Sequence, residues 1–148
     1  MSSVADAIVA GARSESDVWA SSLRERDDWQ AVFSPLAPDR FALGLETVYE
    51  AYLVHYGTPR LFDAPERNDA VLLGDYLYAH GLVRVSAAGG VPAVEAMSRL
   101  ISRCAALRAE RAAGDADAWL DAVRELGGDP ADDEIERALA AHFARVAP

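Results

Sequence analysis

Apolar residues recur along this chain at helical spacing, and short Gly-, Pro- and Asp-rich breaks separate the segments they mark. Val4, Ile8 and Val9 predict a first helix over Val4–Ala12, with Gly11 as its stop. Ser16 reads as the N-cap of a second helix, Val18 to Phe33, anchored by Trp19, Leu23, Trp29, Val32 and Phe33. Arg24 to Asp28 lies between those anchors as a solvated face. After the break Ser34-Pro35-Leu36-Ala37-Pro38, Asp39 caps a third helix, Arg40 to about Tyr56, carrying Phe41, Leu43, Leu45, Val48, Tyr49, Tyr52 and Leu53. The connection from Gly57 to Asn68, with Pro59 and Pro65, reads as turn-rich and exposed.

The stretch from Ala70 to Glu110 predicts two consecutive helices joined at Gly89-Gly90-Val91-Pro92, with Pro92 in the first turn of the second. Its first half, Val71 to Val83, is apolar almost all round, which places it at the centre of a bundle. Asp75 would then be a buried carboxylate in need of a partner, and Arg99 or Arg103 of the following helix could supply one. The second half carries Val94, Met97, Leu100, Ile101, Cys104 and Leu107 on one face, with Ser98, Arg99, Ser102, Arg103 and Arg108 opposite. Leu72, Leu73, Tyr76, Val83, Met97 and Ile101 are the candidates for core or interface packing. Helices over Ala116–Leu126 and Asp132–Val146 close the chain, and the acids Asp132, Asp133, Glu134 and Glu136 suit a helix start. No strand pattern competes. The expectation is a single all-α domain over 1–148, a bundle of about seven helices.

Composition narrows the chemistry. The net charge is −10, and all 14 basic residues are arginines. An acidic chain without a basic block is a poor nucleic-acid binder. Without lysine, a phosphate-loop lysine and a Schiff base are both excluded. Cys104 stands alone on an apolar stripe and reads as a core residue without an internal disulfide partner. His55, His80 and His142 are too scattered to suggest zinc. The absence of a long apolar run argues against a transmembrane segment, and the absence of a signal pattern makes the cytoplasm the default location.

One set of residues suggests a family. Leu73-Gly74-Asp75-Tyr76-Leu77, followed by an amphipathic helix ending Leu107-Arg108-Ala109-Glu110, resembles the central helices of the trans-polyprenyl diphosphate synthases. Gly57-Thr58-Pro59 stands seventeen residues before Gly74-Asp75, in register with a second family landmark. The resemblance covers Glu46 to Glu110. It implies that Glu46 and Glu50 occupy the first magnesium-binding motif, where Thr47 replaces a central aspartate; read from the residues alone, they are two exposed glutamates on a helix. The family's diphosphate-binding arginines are replaced by His55 and Tyr56, its lysines have no counterpart, and its second aspartate-rich motif would lie beyond Pro148. The resemblance thus implies a stripped relative, similar to the small subunits of heteromeric polyprenyl diphosphate synthases. Such a chain has no catalytic or metal-binding residues of its own, and the magnesium belongs to a large catalytic partner subunit. The alternative is a homodimeric pseudoenzyme that binds an isoprenoid or another apolar ligand.

Overall fold

A computed structural model describes residues 3–25, 28–64 and 66–147 of the chain. Those residues form six α-helices and no sheet: α1 (Ser3–Glu15), α2 (Asp17–Ser21), α3 (Ala42–Tyr56), α4 (Arg67–Ala109), α5 (Asp115–Glu125) and α6 (Asp132–Phe143). Two single-turn 3₁₀ helices, Ser34–Leu36 and Asp39–Phe41, lead into α3. The all-α architecture is as expected, with six α-helices where about seven were anticipated. No described helix is long and apolar enough to cross a membrane.

Helix α3 is the centre of the molecule. Every residue from Gly44 to Leu53 is buried, because α4, α5, α6 and the segments on either side of α3 all close upon it. Its largest interface is with α4. The two backbones cross closely through two glycines. A Cβ on Gly81 would lie 2.5 Å from Val48 Cγ2, and one on Gly44 would lie 2.6 Å from Val85 Cγ2. Glycine is needed there for close approach. Around α3, Phe33 stacks on Trp119 with centroids 5.2 Å apart and meets Tyr49 edge-on at 5.4 Å.

The centre therefore is not the first half of α4. One stripe of that helix, Leu73, Leu77, Gly81 and Val85, is buried against α3 and α1, while Leu72 is 58% exposed and Val83 66% exposed. Hydrophobic content alone does not dictate burial; a helix hides only the faces its neighbours reach. The expected break is present. Gly90 adopts φ 69° and ψ −159°, a conformation open to glycine, and Pro92 follows in the first turn of the second half.

Other boundaries differ from expectation. Helix α3 starts at Ala42 rather than Arg40, and Asp39, expected as its cap, opens the 3₁₀ turn before it, so that no side chain caps α3; α6 ends at Phe143 rather than Val146. Helix α1 continues through Gly11 to Glu15; Gly11 makes room for Arg84, whose Nη2 would lie 3.0 Å from a Cβ there, and does not stop the helix. The helix anticipated over Val18–Phe33 ends at Ser21. Ser16 Oγ caps its start by accepting from Val18 N at 3.1 Å, but Ser21 and Ser22 hydroxyls both donate to Val18 O at 2.9 Å. Such side-chain bonds compete with the helical ladder. Beyond Ser22 the chain makes a bridge, with Leu23 opposite Phe62, Arg24 N donating to Leu61 O and Asp63 N to Ser22 O. Val32 and Phe33 still reach the core, from an irregular segment. Arg26, Asp27 and Pro65, which belong to the anticipated solvated face and turn-rich connection, lie outside the described residues. At the other end, α6 starts with Glu134 accepting from Ala131 N at 2.9 Å, the cap anticipated for the acidic run. Phe143, expected on the apolar face of α6, is 47% exposed.

Candidate functional site

The residues that the resemblance aligned with a metal motif lie together on α3. Glu46 and Glu50 are one turn apart and face the same side, as their spacing requires. They are not exposed: both are fully buried, and so is Arg60, which the connection after α3 folds back between them. Arg60 Nη1 donates to Glu46 Oε1 at 2.5 Å, and Arg60 Nε to Glu50 Oε1 at 2.9 Å. Glu46 Oε2 also accepts from Val32 N at 3.2 Å and Ser34 N at 3.0 Å. Glu50 Oε2 accepts from Arg60 N at 2.9 Å and Leu61 N at 2.8 Å. All four carboxylate oxygens are therefore engaged.

The guanidinium also bonds backbone carbonyls, with Nη2 donating to Glu46 O at 3.3 Å. Nη1 reaches Gln30 O at 2.8 Å, and the planar group lies 4.2 Å from the centroid of Trp29. Burial works against the Arg60 charge, but Glu46 and Glu50 outweigh it and hold its pKa above the usual arginine value. Two carboxylates and one guanidinium leave one negative charge, which the four backbone N–H donors help to spread. The cluster is a clamp. It fixes the segments 30–34 and 60–61 onto α3, and a divalent cation at Glu46 and Glu50 would have to displace a buried arginine.

A second polar cluster sits further along the same helix. The Tyr52 hydroxyl donates a short hydrogen bond to Asp115 Oδ2, which also accepts from Arg108 Nε at 2.8 Å. Arg108 Nη2 contacts the Tyr52 hydroxyl at 3.1 Å, and its guanidinium stands 5.3 Å from the Tyr56 ring centroid. Beside it, the Tyr49 hydroxyl and His142 Nδ1 are 2.8 Å apart. Burial raises the pKa of both tyrosines and pushes the His142 imidazole down to about 4, so it is neutral near pH 7. Burial likewise drives the Cys104 thiol up to about 12, which fits an inert core cysteine.

Asp75, expected to be a buried carboxylate, is instead exposed. Its neighbour is His55 Nε2 at 3.6 Å, while Arg99 pairs with Glu125 and Arg103 with Asp121 on α5. The Gly74-Asp75 landmark has a local explanation: the His55 ring lies where a Cβ of Gly74 would be. Of the six packing candidates, Leu73 and Met97 are fully buried, Tyr76 and Ile101 are half-buried, and Leu72 and Val83 face outward. They do not form one surface.

Arg60 was missed because it lies in a connection read as exposed. Its signal was indirect. From Ala42 to Leu53 the helix carries Glu46, Thr47 and Glu50 as its polar side chains among apolar neighbours, so the two acids lack a solvated face. A buried carboxylate pair demands a cation, and a lone arginine before the apolar pair Leu61-Phe62 could supply it. Comparisons with protein-family models, with characterised proteins and with solved structures find no match for this chain.

Proposed function

We propose that this chain is a non-catalytic small subunit of a heteromeric trans-polyprenyl diphosphate synthase, a helical body that docks on a catalytic partner and helps shape its elongation cavity. The observation that carries the reading is the clamp on α3. Positions that the resemblance assigns to magnesium ligation hold Arg60 instead, and all their oxygens are taken. Ionising an allylic diphosphate requires strong stabilisation of the leaving group, of a kind supplied by metal ions and cationic clamps. Glu46 and Glu50 in this arrangement have nothing to give such a reaction. What the chain offers a complex is surface, and the magnesium would be held by the partner.

The test combines purified chain with a full-length polyprenyl diphosphate synthase encoded in the same genome. The chain alone should give no elongation of an allylic diphosphate with isopentenyl diphosphate and magnesium. The mixture should form a complex with altered product length or rate. Turnover by the chain alone, lost in Glu46→Gln or Glu50→Gln, overturns the proposal. A stable homodimer that takes up a polyprenyl chain and ignores every synthase would favour the pseudoenzyme reading in its place.

A further inference from the structure

The outward face of the first half of α4 is the least explained surface of the molecule. Leu72, Tyr76, Ala79 and Val83 follow one another at i, i+4, i+7 and i+11, a 3.5-residue repeat, and Ser86 and Gly90 continue the line without a charge. Leu72, Ala79, Val83, Ser86 and Gly90 are all exposed, and Tyr76 is half-buried against Trp19, with ring centroids 6.1 Å apart. The inward stripe of the same helix already supplies its core contacts, and of the outward line only Tyr76 packs against the core. A 3.5-residue repeat is the seam of a left-handed helix pair. Midway along it, Glu15, Tyr76, Ala79, His80 and Val83 line an open groove of about 260 Å³.

Beyond Arg67, the exposed first residue of α4, the formal charges beside the seam as far as Val83 have one sign. Between Asn68 and Val83 the helix carries Asp69 and Asp75 and no arginine, the end of α1 adds Glu15 at the groove, and burial holds the His80 imidazole there below its usual pKa, so that it is neutral near pH 7. Arg84, just beyond, is turned inward to Thr47 Oγ1 at 2.8 Å and Ala7 O at 3.3 Å. A second copy would bring the same acids and a second charge of −10, with no arginine on this stretch of α4 to meet them. We infer that the Leu72–Val83 face of α4 docks an amphipathic helix of a different protein, one with large apolar residues at a and d positions flanked by arginine or lysine. This rests on the reading of the chain as a docking subunit, and it adds the face and the chemistry of what binds there.

The probe is a fluorescein-labelled synthetic helix of about three heptads with leucine at a and d and arginine at the flanking positions, titrated by anisotropy against the full chain. The wild type should bind it, and added salt should weaken binding. The double variant Leu72→Ser/Val83→Ser should bind at least about tenfold more weakly with an unchanged circular-dichroism spectrum. Asp69→Lys/Asp75→Lys should lose binding and its salt dependence while the apolar seam stays intact. Equal binding of the arginine-flanked peptide to the wild type and both variants overturns the inference, as does equal binding of a glutamate-flanked peptide to the wild type. A wild-type homodimer that the serine variant dissolves also overturns it, by making a second copy the occupant. A synthase that binds the serine variant as well as the wild type leaves the subunit reading standing and ends this one. Peptide capture with no effect on any synthase does the reverse.

Discussion

Helix α3 and the first half of α4 invert what their sequences suggest about burial. The first contains two glutamates and a threonine, and from Gly44 to Leu53 it is buried on every side. The second is apolar almost throughout, and Val71, Leu72 and Val83 are 45%, 58% and 66% exposed. The difference lies in what each helix meets. Helix α3 is enclosed by α1, α4, α5, α6 and the segments on either side of it, and its charges are tolerated because Arg60 and backbone donors neutralise them. The first half of α4 meets α3 and α1 on one side, while Trp19 reaches Tyr76 at its edge and, among the described residues, Val71, Leu72 and Val83 stay largely uncovered. Polar residues can lie at the centre if they arrive with partners, and apolar residues can lie outside when no element covers them.

The comparison can be broken most severely at Arg60. Replacing it with alanine leaves two buried carboxylates facing each other, and should destabilise the chain by about 3–5 kcal/mol in urea unfolding. The triple replacement Glu46→Gln/Glu50→Gln/Arg60→Met should recover part of that loss, because it removes all three charges while keeping an oxygen acceptor for the backbone N–H groups of Val32, Ser34, Arg60 and Leu61. If Arg60→Ala is neutral, α3 is not held by the clamp.

A smaller effect comes from pH. His142 titrates near 6.5 in the unfolded chain and near 4 in the folded one, because burial disfavours its cation. The unfolded state therefore binds more protons between those values. Its contribution is complete above about pH 6.5 and declines as pH falls towards about 4, by roughly 3 kcal/mol at most. His55 and His80 are also lowered by burial and act in the same direction. Stability measured from pH 7 to pH 4 should fall less in His142→Gln than in the wild type, and parallel curves would refute this assignment.

The smallest effect should be on the open side of the comparison. Leu72→Ser and Val83→Ser should each change stability by less than about 0.5 kcal/mol, since neither residue's large apolar surface is covered. Chemical denaturation of both variants checks it. A loss of several kcal/mol would place these residues in the core after all.

Much of the fold was readable from local pattern. The break at Gly90, the Ser16 cap, the acidic start of α6 and the spans of α3 and α5 depend on near neighbours and were legible as such. The second helix was misjudged because Val32 and Phe33 are core residues and Trp19, Leu23 and Trp29 pack half-buried against the core, and apolar contact was taken for helical periodicity. Asp75 was misplaced because its helix was assumed to be covered all round. In the candidate site, the one-turn spacing of Glu46 and Glu50 was visible. Their partner was not, since Arg60 acts across a reversal of the chain.

By itself the sequence determined an all-α chain with its principal helix boundaries, an acidic surface without lysine, and two glutamates fixed to one face of α3. Helical spacing and capping are short-range physics, carried by residues three or four apart. Tertiary structure alone decided which face of α4 would be left open and that Glu46 and Glu50 would hold an arginine rather than a metal ion. Those outcomes depend on which segments meet in space, and a buried carboxylate takes its role from the cation that the fold brings to it.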